Sequence, residues 1–101
     1  MKTIIKDIST FVTNSIRLII PIFDDGIPFD LTQYRIKFVS AGHEWDVQIS
    51  TNNTILIDIP RDFFNTAGVF PYYITIEKSD QLFTVVVGKI IIMPTPPLES
   101  P

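Results

Sequence analysis

The stretch Gly68-Val69-Phe70-Pro71-Tyr72-Tyr73-Ile74-Thr75-Ile76-Glu77-Lys78, a Ser79-Asp80-Gln81 break, and then Leu82 to Met93 decide the fold. Phe70, Tyr72, Ile74 and Ile76 recur at every second position, and Pro71, Tyr73, Thr75 and Glu77 fill the gaps. A period of two marks a strand with one face buried, whereas a helix repeats its apolar positions at three and four. Ser and Asp are turn formers. The segment therefore reads as a strand, a turn and a long final strand. In that last strand Gly88 poses a question of phase. If Phe83, Val85 and Val87 face inward, a bulge at Gly88 is needed to expel Lys89. The other phase buries Val86, Ile90 and Ile92. Either leaves large apolar side chains on the outer face.

The same alternation extends toward the N-terminus. Ile55, Ile57 and Ile59 form one inward face, and Pro60 ends their strand. Trp45, Val47 and Ile49 alternate with Glu44, Asp46 and Gln48, while Tyr34, Ile36 and Phe38 alternate with Arg35, Lys37 and Val39. Ala41-Gly42 and Ser50–Asn53 are turns. In Ser15–Phe23 the inward set is Ile16, Leu18, Ile20 and Ile22. The outward set is Arg17, Ile19, Pro21 and Phe23, with Pro21 marking an edge or bulge. Asp24-Asp25-Gly26 is a tight turn. Ile27–Thr32 reads as an extended linker, and Ile4–Ile8 as a first strand. One helical turn is expected over 61–66, after Pro60 and before Gly68.

Strands separated by turns about every 10 residues point to an all-β domain. The expectation is a single immunoglobulin-like antiparallel β-sandwich of 7–8 strands over residues 1–93. A proline-rich extended tail follows over 94–101, carrying Pro94, Pro96, Pro97 and Pro101.

Composition sets the limits. The chain has 101 residues, no cysteine, 46% hydrophobic residues and a net charge of −3. Disulfides and thiolate metal sites are excluded, and the apolar content argues against disorder. A negative net charge argues against binding nucleic acid through a basic surface. Met1-Lys2-Thr3-Ile4-Ile5 begins like a secretory leader, but Lys6 and Asp7 interrupt it before an apolar region forms. No apolar run approaches the ~20 residues of a membrane helix. Synthesis and assembly in a cytoplasm are expected. The mean hydropathy of +0.29 is high for so small a domain. With 18 Ile, 7 Val and 10 Thr, 35 of the 101 residues are β-branched. That composition favours strands and exceeds what one small core can hide.

Several segments resemble a known family. Phe23-Asp24-Asp25-Gly26-Ile27-Pro28-Phe29-Asp30-Leu31-Thr32 resembles a strand ending in a D-G turn, with a Pro-x-Asp-Leu-Thr stretch leading into the next strand, here Ile36-Lys37-Phe38. Ile55-Leu56-Ile57-Asp58-Ile59-Pro60 resembles a strand ending in Ile-Pro. Thr66-Ala67-Gly68-Val69-Phe70 and Tyr73-Ile74-Thr75-Ile76-Glu77 resemble the opening and body of the strand after it. In order and spacing, from about Ser15 to Met93, these are similar to the N-terminal domain of the upper baseplate protein of tailed phages of Gram-positive hosts. The resemblance implies an immunoglobulin-like domain that anchors a larger appendage to the virion, with other virion proteins as partners and no catalytic residues. Such proteins continue into a helical and receptor-binding region, whereas this sequence stops at Pro101. The expectation is therefore a stand-alone capsid decoration or auxiliary protein, or a part that docks a fibre.

No constellation for catalysis stands out. His43 lies beside Glu44 and Asp46, but one histidine is too few for a zinc site. Asp24, Asp25 and Asp30 match no calcium loop and suit turns. The four glycines are isolated, so no phosphate-binding loop exists. No serine sits in a nucleophile elbow. The reading is of a non-enzymatic protein without cofactor or metal. Trp45, Tyr34 and Tyr73 raise an alternative, a carbohydrate- or host-surface-binding module. Against it, Trp45 and Tyr34 read as core residues and Tyr73 as outward. The candidate interface consists of Ile19, Phe23, Leu56, Pro71 and Tyr73 on outer faces, with Pro94, Pro96 and Pro97 of the tail. An apolar patch of this kind marks a protein partner. A homo-oligomer or symmetric assembly is expected, with neither nucleic acid nor membrane as partner.

Overall fold

The structure, a computed structural model, describes residues 2–12, 14–60 and 63–94. Its strands are β1 (Ile4–Ile5), β2 (Ile8–Phe11), β3 (Ile16–Pro21), β4 (Phe23–Asp24), β5 (Ile27–Pro28), β6 (Arg35–Ser40), β7 (His43–Asp46), β8 (Gln48–Thr51), β9 (Thr54–Ile59), β10 (Gly68–Lys78) and β11 (Gln81–Met93). They form a six-stranded sheet in the order β1-β11-β10-β6-β7 with β2 also on β11, a three-stranded sheet β3-β9-β8, and the small hairpin β4-β5. No helix occurs among the described residues.

Alternation fixes which faces are buried. Ile16, Leu18 and Ile20 of β3 and Ile55, Ile57 and Ile59 of β9 point inward from the smaller sheet. Ile36, Phe38, Tyr72, Ile74, Ile76, Val86, Ile90 and Ile92 point inward from the larger one, and both sets join one buried cluster. The inward sets expected for β3, β6, β9 and β10 are those observed. The chain changes sheet at Val47, which separates β7 from β8, and its N–H donates to Ile36 O at 3.0 Å.

Two expectations need correction, and two more gain detail. The first concerns strand count and direction. Among the described residues there are eleven strands rather than seven or eight, because single strands are broken at Lys6–Asp7, at Ile22 and at Val47 and because β5 forms within the expected linker. The pairing is also not wholly antiparallel, since β1 and β2 run parallel to β11. A parallel pair needs a long crossover, and here nearly the whole domain lies between the partners.

The second is the helical turn over 61–66. Residues 61 and 62 lie outside the described residues, and 63–66 form a turn and bend, not a helix. The Phe63 N–H reaches back to Pro60 O at 3.1 Å, a single three-residue closure. The Phe63 and Phe64 rings meet edge to face at 4.7 Å, and each continues into the aromatic cluster, Phe63 against Trp45 and Phe64 against Phe70.

The third is the phase of β11. The bulge lies at Val85, because Thr75 pairs with Thr84 and Ile74 with Val86. Phe83 stands opposite Ile76 before the bulge, and Val86, Ile90 and Ile92 face inward after it. The phase that buries Val86, Ile90 and Ile92 is the one observed, with Val85 buried beside them at the bulge and Phe83 38% exposed.

Gly88 has a different task. A Cβ added there would overlap the carbonyl oxygen of Lys6 and lie 2.7 Å from its carbonyl carbon and 3.0 Å from Tyr72 Cε1. Glycine is required because another backbone approaches it closely. At that crossing Tyr72 Oη donates to Lys6 O at 2.6 Å, Lys6 N–H donates to Val87 O at 3.0 Å, and Lys89 N–H donates to Asp7 Oδ1 at 3.0 Å. Asp7 thus supplies the acceptor for Lys89 where the β1–β2 ladder is interrupted. Burial, and secondarily the charge of Asp7, push the Tyr72 phenol up to about 12.

The fourth is the expected extended linker Ile27–Thr32, which opens in β5 and is then pinned to the body of the domain. Leu31 is 1% exposed. Its N–H donates to Asn52 O at 2.7 Å, and Phe29 N–H donates to Ile22 O at 3.0 Å. Asp30 Oδ1 accepts from both the N–H and the hydroxyl of Thr32, at 2.9 and 2.7 Å. The hydroxyl bond, followed by the backbone one, holds the Asp30 carboxyl below its ordinary range. This side-chain turn accounts for the Asp-Leu-Thr portion of the segment.

Candidate docking face

Residues directly opposite each other in a sheet project to the same side. The registers therefore assemble a cross-strand row on the outer face of the six-stranded sheet: Ile5, Val87, Tyr73, Val39 and Glu44, contributed by β1, β11, β10, β6 and β7. Four of its five members are apolar. Two residues along lies the row Lys89–Pro71, and beyond it Ser9–Ile91–Val69. Ile5 is 79% exposed, Val69 58% and Tyr73 44%. Leu82, opposite Glu77, adds a further exposed apolar group on the same face. Lys89 lies within this face, and Lys37 and Glu44, 4.0 Å apart, stand along its β6–β7 side. Large contiguous apolar surface ringed by polar residues marks a protein interaction site.

The expected interface residues divide between two surfaces. Pro71 and Tyr73 belong to this outer face. Ile19 and Leu56 pair with each other on the outer side of the three-stranded sheet, where Ile19 is exposed and Leu56 half-buried. Phe23 follows on the hairpin β4-β5, opposite Pro28 and next to exposed Ile27. Pro94 is exposed at the end of β11. Pro96 and Pro97 lie outside the described residues. Ile5, Val69, Leu82 and Ile27 are the exposed apolar residues that the sequence reading did not single out. Val69 shares the parity of Pro71 and Tyr73, so alternation alone contained the signal for it.

The other candidates separate in space. His43 packs its ring on Phe63 and Trp45, with centroids 5.3 and 6.3 Å away. By strand alternation Glu44 and Asp46 project from the opposite face. The adjacency of His43 to two carboxylates in sequence therefore does not create a cluster. Among the described residues no group of three or more His, Asp or Glu side chains is placed to hold a metal ion. Asp25 and Gly26 have φ of 52° and 78°, the geometry of a two-residue hairpin turn.

Trp45 faces inward, 4.9 Å from Phe38 and 4.8 Å from Phe63. Phe38 in turn stacks on Tyr72 at 5.4 Å. Tyr34 packs on Phe29 at 5.4 Å and lies under Lys78 at 5.7 Å. Trp45 and Tyr73 thus lie on opposite faces of one sheet and do not form a joint stacking platform. On the smaller sheet Arg17 grips Asp58 across β3 and β9, with Nε–Oδ1 at 2.7 Å and Nη2–Oδ2 at 3.2 Å. That hydrogen bonding holds the Asp58 carboxyl below its usual range and raises the Arg17 guanidinium. No protein-family model matches the chain, and no curated protein matches it by sequence.

Proposed function

We propose that this protein is a non-enzymatic structural component of a tailed-phage virion, an immunoglobulin-like sandwich that docks onto another virion subunit through the outer face of its six-stranded sheet. The observation that carries the reading is the apolar row Ile5–Val87–Tyr73–Val39, which extends through Pro71, Ile91 and Val69. An isolated domain has little reason to leave such a face in water, whereas a subunit covers it on assembly. The virion setting rests on the resemblance of residues Ser15 to Met93 to the anchoring domain of phage upper baseplate proteins. The immunoglobulin-like reading is supported by strand order. With β3, β6, β7, β8, β9, β10 and β11 taken as strands B, C, C′, D, E, F and G, the sheets are GFCC′ and BED, the immunoglobulin pattern. Within the virion the role is capsid decoration or appendage docking, with assembly in the host cytoplasm.

The test is association with particles. Mass spectrometry of purified virions from the producing cells should find the chain in fixed proportion to a capsid or tail subunit. Val69→Glu with Tyr73→Glu should leave the domain folded by circular dichroism yet abolish its incorporation. Absence of the wild-type chain from the particles, or full incorporation of the folded double variant, would overturn the reading.

A further inference from the structure

β3 is the outer strand of the three-stranded sheet, and its far edge has no partner strand among the described residues. The direction of its backbone groups can be read from its neighbours. Ile22 N–H donates to Asn53 O at 2.8 Å, and successive residues of a strand turn their amides and carbonyls to opposite sides. Ile16, Leu18 and Ile20 therefore bond to β9, while Arg17 and Ile19 direct their N–H and C=O groups to the open side. Pro21 agrees with this parity. It stands opposite Thr54, and its missing N–H falls where the ladder to β9 needs none. In the immunoglobulin pattern strand A covers this edge. Here the N-terminal strands β1 and β2 lie on β11 instead.

We propose that the β3 edge pairs with the same edge of a second copy of the chain, antiparallel about a two-fold axis at Leu18. Arg17 then stands opposite Ile19 of the second copy, and the two small sheets merge into one of six strands. An edge with free backbone groups templates another strand, and a two-fold contact requires self-complementarity. The residues of β3 select this register over its neighbours. A shift that places Arg17 opposite Arg17 apposes like charges. A shift that places Ile19 opposite Ile19 sets Pro21 opposite Arg17, so the missing N–H falls inside the ladder instead of at its end, beside Ser15. In the chosen register both Arg17–Ile19 pairs exchange their N–H and C=O bonds, and the Pro21 carbonyl accepts from Ser15 N–H. The Arg17 guanidinium keeps Asp58. Ile19, 59% exposed in the single chain, is covered by the stem of the opposing Arg17. Pro21 and Arg17 thus restrict the edge to one alignment rather than closing it.

The contact is independent of the docking face, which lies on the other sheet, so the two stand or fall separately. The test is the solution mass of the full chain by light scattering from micromolar to millimolar concentration. A concentration-dependent dimer is expected. Ile19→Lys sets a lysine against Arg17 of the second copy and should weaken the dimer at least about tenfold. Val69→Glu, on the other sheet, should leave it unchanged. Because the chain has no cysteine of its own, R17C chains mixed with I19C chains report the register directly. The mixed disulfide should form in preference to either homodisulfide. A monomer at every concentration, a dimer indifferent to Ile19→Lys, or preferential homodisulfides would each overturn the proposal.

Discussion

Replacing Gly88 by alanine tests the account of how the N-terminal strand is held. The added methyl group meets backbone, the carbonyl of Lys6, together with the ring of Tyr72. Backbone cannot rotate away as a side-chain tip can, so residues 4–8 must lift from β11. Three hydrogen bonds then weaken or break: Tyr72 Oη to Lys6 O, Lys6 N–H to Val87 O, and Lys89 N–H to Asp7 Oδ1. At a net ~0.5–1.5 kcal/mol each, the loss is about 2–4 kcal/mol. For a domain of this size that is a fall in Tm on the order of 10–25 °C. The control is Gly42→Ala. A methyl group there meets nothing within 4 Å, and only the φ of +77° opposes it. Its cost is the left-handed strain of about 1–2 kcal/mol. Urea unfolding monitored by Trp45 fluorescence gives both values, and amide exchange locates the damage in residues 4–11. A Gly88→Ala protein within about 0.5 kcal/mol of wild type, or less perturbed than Gly42→Ala, would refute the close-approach argument.

Three further perturbations probe other parts of the structure. Tyr72→Phe should lose about 0.5–1.5 kcal/mol at neutral pH from its missing bond to Lys6 O. The Tyr72 phenol is raised to about 12 in the folded chain. Its neutral form therefore contributes stability fully below about pH 10, the ordinary tyrosine value, and loses it as pH rises through the folded value. Wild type should accordingly fall relative to Tyr72→Phe between those pH values by on the order of 2–3 kcal/mol, read from urea midpoints. Ala41→Gly relieves a non-glycine residue at φ 52° and should raise stability by about 0.5–1 kcal/mol in the same assay. Leu31→Ala empties a site that is 1% exposed and should cost about 2–5 kcal/mol, whereas a loose linker at that point would show almost no change.

The large strands were legible because their physics is local. In Ile16–Ile22, Tyr34–Phe38, Ile55–Ile59 and Phe70–Ile76 each second residue is apolar, and a one-residue slip would expose the whole set. What the sequence withheld depended on partners far away in the chain. Gly88 signals an irregularity, but only Lys6, more than eighty positions earlier, shows that the reason is close approach and not a bulge. Leu31 looks like any apolar residue in a polar stretch until Asn52 caps its amide. Val85 carries no sign of the bulge it occupies. The outer face was half legible. Tyr73 and Pro71 could be placed by parity, whereas Ile5 joins them only through its register with Val87.

One choice in the chain connects these observations. An N-terminal strand can lie against the last strand of the larger sheet or against β3, and it cannot do both at once. Here Gly88 makes room for the Lys6 carbonyl, Tyr72 holds it, and Asp7 replaces the missing acceptor for Lys89. All three act to hold residues 4–11 on β11. The β3 edge is open as a consequence, and Ile5 is added to the docking face by the same placement. Only a short connection, residues 12–15, separates β2 from β3, a length that suits an antiparallel hairpin. A chain released from β11 can therefore fold its own N-terminal strand back onto β3. Gly88→Ala should for this reason weaken self-association as well as stability, although residue 88 lies on the other sheet from the β3 edge. Unchanged dimerisation in a Gly88→Ala protein whose N-terminal amides exchange freely would separate the two edges and break this link.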